Sequence, residues 1–191
     1  MDNRDIYQPL SPGVYYHIYN RGNNKENIFR EPDNFAYFLL LWERYLARDI
    51  DLFCYCLLPN HFHFLVRIKE FSPAGNKLAK KFSNMFNAYA KAFNKKYGRT
   101  GSLFQKRFRR KKITDHSYYT TIIGYILTNP VRHHLSVTSG SYPYSAYNSL
   151  LSEEPTLLLR NELLDWFGSR EALIRYIRNY EKAHFPGDNT C

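Results

Sequence analysis

Cysteine is scarce in this sequence: its 191 residues include only Cys54, Cys56 and Cys191. Such a set cannot form the disulfide scaffold of a small secreted domain, and there is no second Cys pair to complete a structural zinc site. Long apolar runs are lacking too, which excludes a membrane-spanning helix, and residues 1–12 lack the apolar core of a signal peptide. The sequence therefore predicts a reduced, cytoplasmic protein.

Acidic residues are missing from one long segment. Between Phe71 and Thr114 there is no Asp or Glu, although this segment holds thirteen of the 27 Lys and Arg residues. The net charge of +10 therefore arises here, since the rest of the chain is slightly acidic. A block of one sign repels itself unless a counter-charge is bound, which predicts a phosphate-binding surface. Its densest part comprises Lys106, Arg107, Arg109, Arg110, Lys111 and Lys112.

Aromatic residues are abundant, at 17% of the chain, and several lie among these basic residues. Aromatic rings can stack on the unpaired bases of single strands. Core packing is nevertheless the expected role of each of them: Tyr89, Phe93, Tyr97, Phe104 and Phe108.

Hydrophobic periodicity predicts elements in the order β-α-β-β-α-β, followed by further helices. Strands are predicted over residues 13–20, 52–58, 61–68 and 103–113. Helices are predicted over residues 32–48 and 78–98, from Asp115 to just before Pro130, and over 162–167 and 170–182. This order is typical of an α+β, ferredoxin-like (RRM-like) fold, in which two helices cover one face of a four-stranded antiparallel sheet. We expect the second face to be free for a site or for nucleic acid.

The string His61-Phe62-His63 lies on the third predicted strand. Residues two apart on a strand point to the same face, so both imidazoles should project together while Phe62 enters the core. Two imidazoles on one face are a common arrangement for a divalent metal. The pattern alone is weak, since two polar residues on an exposed strand face look the same.

Tyr125 and Asn129 lie four residues apart on the helix predicted to begin at Asp115, so their side chains share one face of that helix. An isolated Tyr there would usually be a packing residue. Two imidazoles and an amide can hold Mg²⁺ or Mn²⁺, and an ion that neutralises phosphoryl charge lets a weakly acidic phenol act as a nucleophile. The four residues together therefore suggest phosphodiester chemistry.

The string LPNHFHFLV at residues 58–66 resembles the HUH motif (His, bulky hydrophobe, His) of single-tyrosine transposases. YILTNPVR at 125–132 resembles their catalytic-tyrosine motif, especially in the REP-associated tyrosine transposases. Three further strings match in family order: YNRG at 19–22, GSLFQKRF at 101–108 and YPYSAY at 142–147. The resemblance covers residues 13–150, so we expect a transposase domain over 1–150 and a helical extension packed on it over 151–191.

The resemblance implies that His61, His63 and Asn129 bind the divalent ion, Mg²⁺ or Mn²⁺. Tyr125 would attack a phosphate of single-stranded DNA, form a 5′-phosphotyrosine link and release a 3′-OH, and reversal with another 3′-OH would rejoin strands. The DNA would carry a hairpin from a repeat or an insertion-element end, which places the protein at the nucleoid. Its expected contacts are Arg21 and the six basic residues of the dense cluster, Lys106, Arg107, Arg109, Arg110, Lys111 and Lys112.

Several alternatives stay open at this point. Compact members of the family exchange catalytic helices between the subunits of a dimer, whereas some longer members act as monomers. A non-catalytic single-strand binder would share the sheet and its aromatics, and a domesticated nickase of host repeats would share every site residue. His17 is interpreted as a buried, hydrogen-bonded residue, and Tyr118 and Tyr119 as packing residues, with one of these tyrosines as a substitute nucleophile the alternative. His133 and His134 lie at a helix end, where they suit the helix dipole, with a DNA phosphate as the alternative partner.

Overall fold

The four predicted strands are present, in the predicted order along the chain. The computed structural model describes residues 8–185, apart from the side chains of His116 and Ser117; predictions for residues 1–7 and for Cys191 lie outside this range. The strands are β1 (Tyr15–Arg21), β2 (Ile50–Leu58), β3 (His61–Ile68) and β4 (Arg109–Ile113). They form one antiparallel sheet in the order β2-β3-β1-β4. The α+β, ferredoxin-like prediction is therefore confirmed.

Two long helices lie between the strands of the sheet in the chain, a third helix carries Tyr125, and three more helices follow it. They are α1 (Pro32–Leu46), α2 (Asn76–Lys96), α3 (His116–Arg132), α4 (Tyr147–Leu151), α5 (Arg160–Phe167) and α6 (Arg170–His184). Helix α1 begins with Pro32, whose fixed φ suits the first turn and whose missing N–H costs nothing there. Among residues 8–185, no helix is long and apolar enough to cross a membrane.

One face of the sheet forms an aromatic core with α1 and α2. Phe64 of β3 packs on Trp42 of α1, with ring centroids 4.3 Å apart, and Phe62 packs on Phe86 of α2 at 5.4 Å. Both β3 rings are fully buried. Burial of such rings supplies about 1.5–3 kcal/mol each, so this face provides much of the hydrophobic stabilisation.

The prediction of a free second face is wrong, because α3 and α5 cover it. The ring of Tyr15 on β1 lies 4.6 Å from Tyr119 of α3 and 5.7 Å from Trp166 of α5. Phe53 of β2 stacks on the same Trp166 at 4.8 Å. This face of the sheet therefore carries apolar side chains as well, and α3 and α5 shield them from solvent. Packing is thus the role of Tyr119, as predicted.

The last predicted strand is longer than the observed one, because β4 contains only Arg109–Ile113. Residues 103–108 form a loop in which Leu103 and Phe104 are buried, and this burial imitates a strand pattern. Arg107 adopts a positive φ of 69°, which is incompatible with an extended strand. Lys106 and Arg107 therefore lie on a loop rather than on the sheet.

Helix α3 also differs from the prediction, since it continues through Pro130 and ends at Arg132. Proline lacks the N–H that would bond the carbonyl four residues earlier. Pro130 lies in the last turn of the helix, so only one hydrogen bond near its end is lost. The last carbonyls of the helix accept hydrogen bonds from residues that follow it: His133 N–H donates to Asn129 O, and Leu135 N–H donates to Pro130 O. The helix therefore tolerates this proline close to its end.

The C-terminal helices bind the sheet and α3 at several points. On the sheet, Arg67 of β3 forms an ion pair with Glu162 of α5, with 2.6 Å between Nη1 and Oε1. Against α3, Gly124 lies so close to α6 that an added Cβ would meet the Tyr180 ring at 2.6 Å. Beyond α3, Ser139 donates its backbone N–H and hydroxyl to Glu181 of α6. The C-terminal helices are therefore fixed to the sheet, to α3 and to the segment that follows α3.

Candidate metal and tyrosine site

The two histidines of β3 project from the same face of the sheet, as alternation predicts. His61 and His63 have ring centroids 5.1 Å apart, and their face is the one covered by α3. The intervening Phe62 lies in the aromatic core on the opposite face. The prediction of two imidazoles on one side and apolar rings on the other is therefore confirmed in this structure.

Each of these imidazoles is oriented by a hydrogen bond at Nδ1. His63 Nδ1 lies 2.9 Å from His17 Nε2 on β1, and His61 Nδ1 lies 2.6 Å from the amide oxygen Oδ1 of Asn60. An amide oxygen only accepts, so His61 donates through Nδ1 and its Nε2 keeps a lone pair. Partners of this kind fix the tautomer and the plane of metal-binding histidines. The buried, hydrogen-bonded His17 is thereby confirmed, with His63 as its partner.

Tyr125, Asn129 and His133 follow one another at intervals of four residues along α3 and its end. The Tyr125 ring lies 5.4 Å from the His63 ring, and the His133 ring lies 4.9 Å from the His61 ring. Asn129 stands between these two contacts on the same face of the helix. The structure therefore brings Tyr125, Asn129 and both predicted histidine ligands together within one chain.

Two buried polar atoms at this site lack a hydrogen-bond partner among residues 8–185. They are Nε2 of His63 and Oδ1 of Asn129, whose amide nitrogen donates to the Tyr125 carbonyl at 2.6 Å. Buried polar atoms are almost always paired, so such orphans call for a ligand or another explanation. An imidazole nitrogen and an amide oxygen are both donors to divalent cations. The residues therefore fit a metal ion held by His61, His63 and Asn129.

The candidate ligands His61, His63 and Asn129 differ from the acidic clusters that hold many metal ions. Within residues 8–185, no group of three or more His, Cys, Asp or Glu side chains is arranged to hold a metal ion. The candidate set consists of two imidazoles and one neutral amide, and so carries no negative charge of its own. An ion bound there would keep its full charge for substrate oxygens, which suits the stabilisation of a phosphate.

The histidines of the site are held in their neutral form. Burial, followed by the nearby His133 and Arg21, lowers the pKa of His61 to about 3. Burial also lowers the pKa of His63 well below its usual range, with His17 as the next cause. A metal binds the neutral imidazole, so no proton has to leave before binding at physiological pH.

One cationic side chain lies beside Tyr125 and another lies beside His61. The guanidinium carbon of Arg132 lies 5.4 Å from the centroid of the Tyr125 ring, and Arg132 is itself exposed. Arg21, the last residue of β1, pairs in register with His61. Its buried Nε has no hydrogen-bond partner in the described part of the chain. The mouth of the site is therefore positively charged, as the binding of a phosphate requires.

The predicted basic cluster does not form one continuous surface. Arg109 and Lys111 pair in register with Tyr19 and His17, and so lie on the histidine face of the sheet. Arg110 and Lys112 alternate to the face of α2, where the Arg110 guanidinium lies 5.2 Å from the Phe108 ring. Only half of the basic residues of β4 therefore share a face with the candidate site.

Sequence reasoning missed several residues at the site. Asn60 carried a signal, since it directly precedes His61, and Arg132 ends the motif that contains Tyr125. His133 was placed at a helix end without a link to His61. The contact between His17 and His63 carried no local signal, because it depends on the pairing of β1 with β3.

Comparisons with known proteins identify the family and support the fold. The family described as "Transposase IS200 like" matches residues 11–129, and the chain belongs to this family. A solved structure described as a REP-associated tyrosine transposase bound to a REP hairpin is similar to it, with a TM-score of 0.59 and 18% identity. That match covers 81% of this chain and 88% of the other. No curated protein matches the sequence.

Proposed function

We propose that the protein cleaves and rejoins single-stranded DNA, with Tyr125 as nucleophile and a divalent ion held by His61, His63 and Asn129. The observation that carries this proposal is the position of Tyr125: its ring contacts His63, one helical turn before the unpartnered oxygen of Asn129. A similar solved protein is described as bound to a REP hairpin, which supports hairpin DNA as the partner.

In the proposed reaction, the phenolic oxygen of Tyr125 gives up its proton to solvent and attacks the phosphorus of a DNA phosphodiester. A Tyr–phosphate bond forms while the bond to the leaving 3′ oxygen breaks, and that oxygen takes up a proton from solvent to become a 3′-OH. A bound Mg²⁺ or Mn²⁺ supplies neutralisation of charge on the phosphoryl oxygens. Because the covalent link conserves one phosphodiester bond, attack by another 3′-OH rejoins the strand without a high-energy cofactor.

Arg132 and Arg21 assist this reaction through charge. The Arg132 guanidinium lies beside the Tyr125 ring, where its positive charge attracts the phosphate that Tyr125 attacks. Arg21 lies across from His61 at the same end of the sheet, where its positive charge attracts the DNA backbone. Arg109 and Lys111, on the same face, extend this attraction along β4.

We further propose that Tyr125 acts within its own chain, so that a monomer suffices. Helix α3 contacts the sheet directly, and it packs against α6 on its outer side, where Gly124 lies against Tyr180. A helix exchanged with a second subunit would have to leave all of these contacts. A domain boundary at residue 150 and a location at the nucleoid remain predictions.

The deciding experiment incubates the protein with labelled single-stranded hairpin DNA and Mn²⁺, and looks for a covalent protein–DNA band. Wild type and the control Tyr119→Phe, which alters a packing tyrosine on the same helix, should form the band. Tyr125→Phe should lose it entirely, and His63→Ala should reduce it at least about 100-fold. A Tyr125→Phe protein that forms the band as wild type does contradicts the assignment.

A second candidate is a non-catalytic single-strand binder, which the acid-free segment would favour on its own. It predicts DNA binding that EDTA leaves unchanged, with no covalent band under any divalent ion. A domesticated nickase of host repeats would behave like the first proposal in every such assay. Only the DNA that flanks the gene separates a nickase from a mobile element.

A further inference from the structure

A cavity of about 390 Å³ lies beside one end of β1, on the face of the sheet opposite the histidines. One wall is the surface of α2 around Ser83 and Asn87, and the other is the loop of residues 101–108. Asn20 of β1 also lines the cavity. Its side chain points to the face opposite His17 and Tyr19, so the cavity and the candidate metal site occupy opposite faces of the sheet.

The loop that forms the outer wall is tied to the rest of the molecule at several points. Its Leu103 O accepts from Asn23 N–H at 2.8 Å, and Gln105 N–H donates to Arg21 O at 2.8 Å. On the other side, Asn94 of α2 donates to Gly101 O at 2.9 Å. Arg107 is held at a φ of 69°, a strained conformation for a residue with a side chain. Strain of this kind collects at binding sites, where the surrounding contacts enforce it.

The lining combines the groups that recognise an unpaired nucleotide. Its floor is aromatic, since Phe86, Phe104 and Phe108 each expose a small part of their rings there. The exposed side-chain amides of Asn87 and Gln105 can donate to and accept from the edge of a base, while Asn20 donates to Gln105 O and so ties the loop to β1. Lys106 and Arg107 add positive charge, and none of the described residues that line the cavity is a carboxylate. A nucleotide has this same combination of flat ring, polar edge and anionic phosphate.

We propose that this cavity binds one unpaired nucleotide of the substrate strand, a few nucleotides from the phosphate that Tyr125 attacks. The inference rests on the proposed function and names a second contact for the same DNA. Asn20 in the cavity is followed by Arg21, which pairs with His61 in the candidate site. A strand that turns around this end of the sheet would reach both. The nucleotide would hold the strand in register for cleavage.

The test fills the cavity and measures DNA binding without cleavage. The probe is a fluorescein-labelled DNA hairpin with a single-stranded thymidine flank of about ten nucleotides, in EDTA. Asn87→Trp places an indole in the cavity, and Asn84→Trp places one on an exposed position of α2 outside it. We expect Asn87→Trp to bind roughly tenfold more weakly than wild type, and Asn84→Trp to bind about as wild type.

Abasic substitution along the flank identifies the nucleotide. In wild type, the loss of one particular base should weaken binding roughly tenfold, whereas Asn87→Trp should be insensitive to the same loss. If Asn87→Trp fails to fold by thermal unfolding, Ser83→Trp fills the same cavity from one turn earlier. Equal binding by the filled variant and wild type overturns the proposal. A deficit that persists on a hairpin without the flank also overturns it.

This outcome is independent of the strand-cleavage proposal, because EDTA prevents any metal-dependent step. Failure of the covalent band with Mn²⁺ would overturn the chemistry at Tyr125, while the binding difference between Asn87→Trp and Asn84→Trp would still stand. In the opposite case, a normal covalent band together with unchanged binding by Asn87→Trp removes the cavity from the DNA path and leaves Tyr125 in its role.

Discussion

On one face of the sheet, Phe62 and Phe64 of β3 pack into the rings of α1 and α2; on the other, His61 and His63 of the same strand face α3. On the first face, apolar side chains pack against one another. The second buries an imidazole nitrogen and an amide oxygen that have no partner. One strand thus supplies stabilisation to one layer and reactive groups to the other, because its side chains alternate.

The difference shows where this molecule gives up stability for chemistry. A buried polar atom without a partner costs about 1–3 kcal/mol, a sizeable part of the total stability of a domain. The aromatic face and the C-terminal helices offset that cost, since both hold α3 and β3 in place around the site. We therefore expect substitutions on the two faces to separate stability from function.

The largest effect should come from the aromatic face. Phe64→Ala removes a fully buried ring that contacts Trp42 and Phe38. Such truncations leave a cavity and cost about 3–5 kcal/mol of unfolding free energy. Chemical denaturation measures this loss. On the histidine face, Tyr19→Ala removes a half-buried ring and should cost clearly less, and equal losses would contradict the division between the faces.

The histidine face should make the protein sensitive to acid. Burial, and next the charge of Lys111, lowers the pKa of His17 from 6.5 to about 3, so the unfolded chain binds more protons between these values. The free energy of unfolding is therefore highest above pH 6.5 and falls as the pH drops towards 3, by up to about 2 kcal/mol between pH 7 and pH 5. Denaturation in EDTA at several pH values measures the slope.

The acid sensitivity has a matched control in His17→Gln, which keeps a polar side chain but cannot titrate. Its unfolding free energy should depend less steeply on pH than that of wild type over the same range. A slope equal to that of wild type would assign the acid sensitivity to other groups, and a flat wild-type profile would contradict the neutral, buried state of His17.

A smaller effect is expected at Gly124, which adjoins Tyr125 in the chain. A methyl group at this position would meet the Tyr180 ring at 2.6 Å, so α6 would have to move away from α3. Because Ala is otherwise the better helix former, we expect Gly124→Ala to lose only about 1–2 kcal/mol. The covalent-band assay should lose rate as well, since Tyr125 shifts with the helix.

The double variant Gly124→Ala, Tyr180→Leu tests the contact itself. A smaller side chain at residue 180 gives the added methyl group room, so the double variant should be more stable than the two single losses added together predict. Simple additivity would show that the two residues do not press on each other, and that α6 does not set the position of α3.

The sequence predicted much of this molecule, and the misses have local causes. Alternation in HFHF placed His61 and His63 correctly, because strand geometry is nearly independent of context. The predicted end of α3 was wrong because Pro130 lies where a helix can tolerate it. The predicted β4 was too long because the loop before it also contains buried apolar residues, Leu103, Phe104 and Phe108. Gly124 against Tyr180 could not be foreseen, since 56 residues of chain separate them and only the packing of α6 joins them.

The smallest change in stability is expected for a substitution of Asn129, which tests most directly how the two faces of the sheet differ. Asn129→Leu replaces a buried amide by an apolar side chain of similar size, and thereby removes the unpartnered Oδ1. Replacing such a group with carbon is often neutral or slightly stabilising, so we expect a change within about 1 kcal/mol in EDTA. Wild type should gain thermal stability when Mn²⁺ is added, because a ligand that binds only the folded state stabilises it.

The Asn129→Leu variant should lose this gain together with the covalent band, while the control Thr128→Val, at the next residue of α3, should keep the gain. A variant that remains as stable as wild type but no longer responds to Mn²⁺ would show that the amide serves the ion and not the fold. If Asn129→Leu instead lost several kcal/mol in EDTA, the amide would be a structural element of α3, and the histidine face would resemble the aromatic face in its purpose.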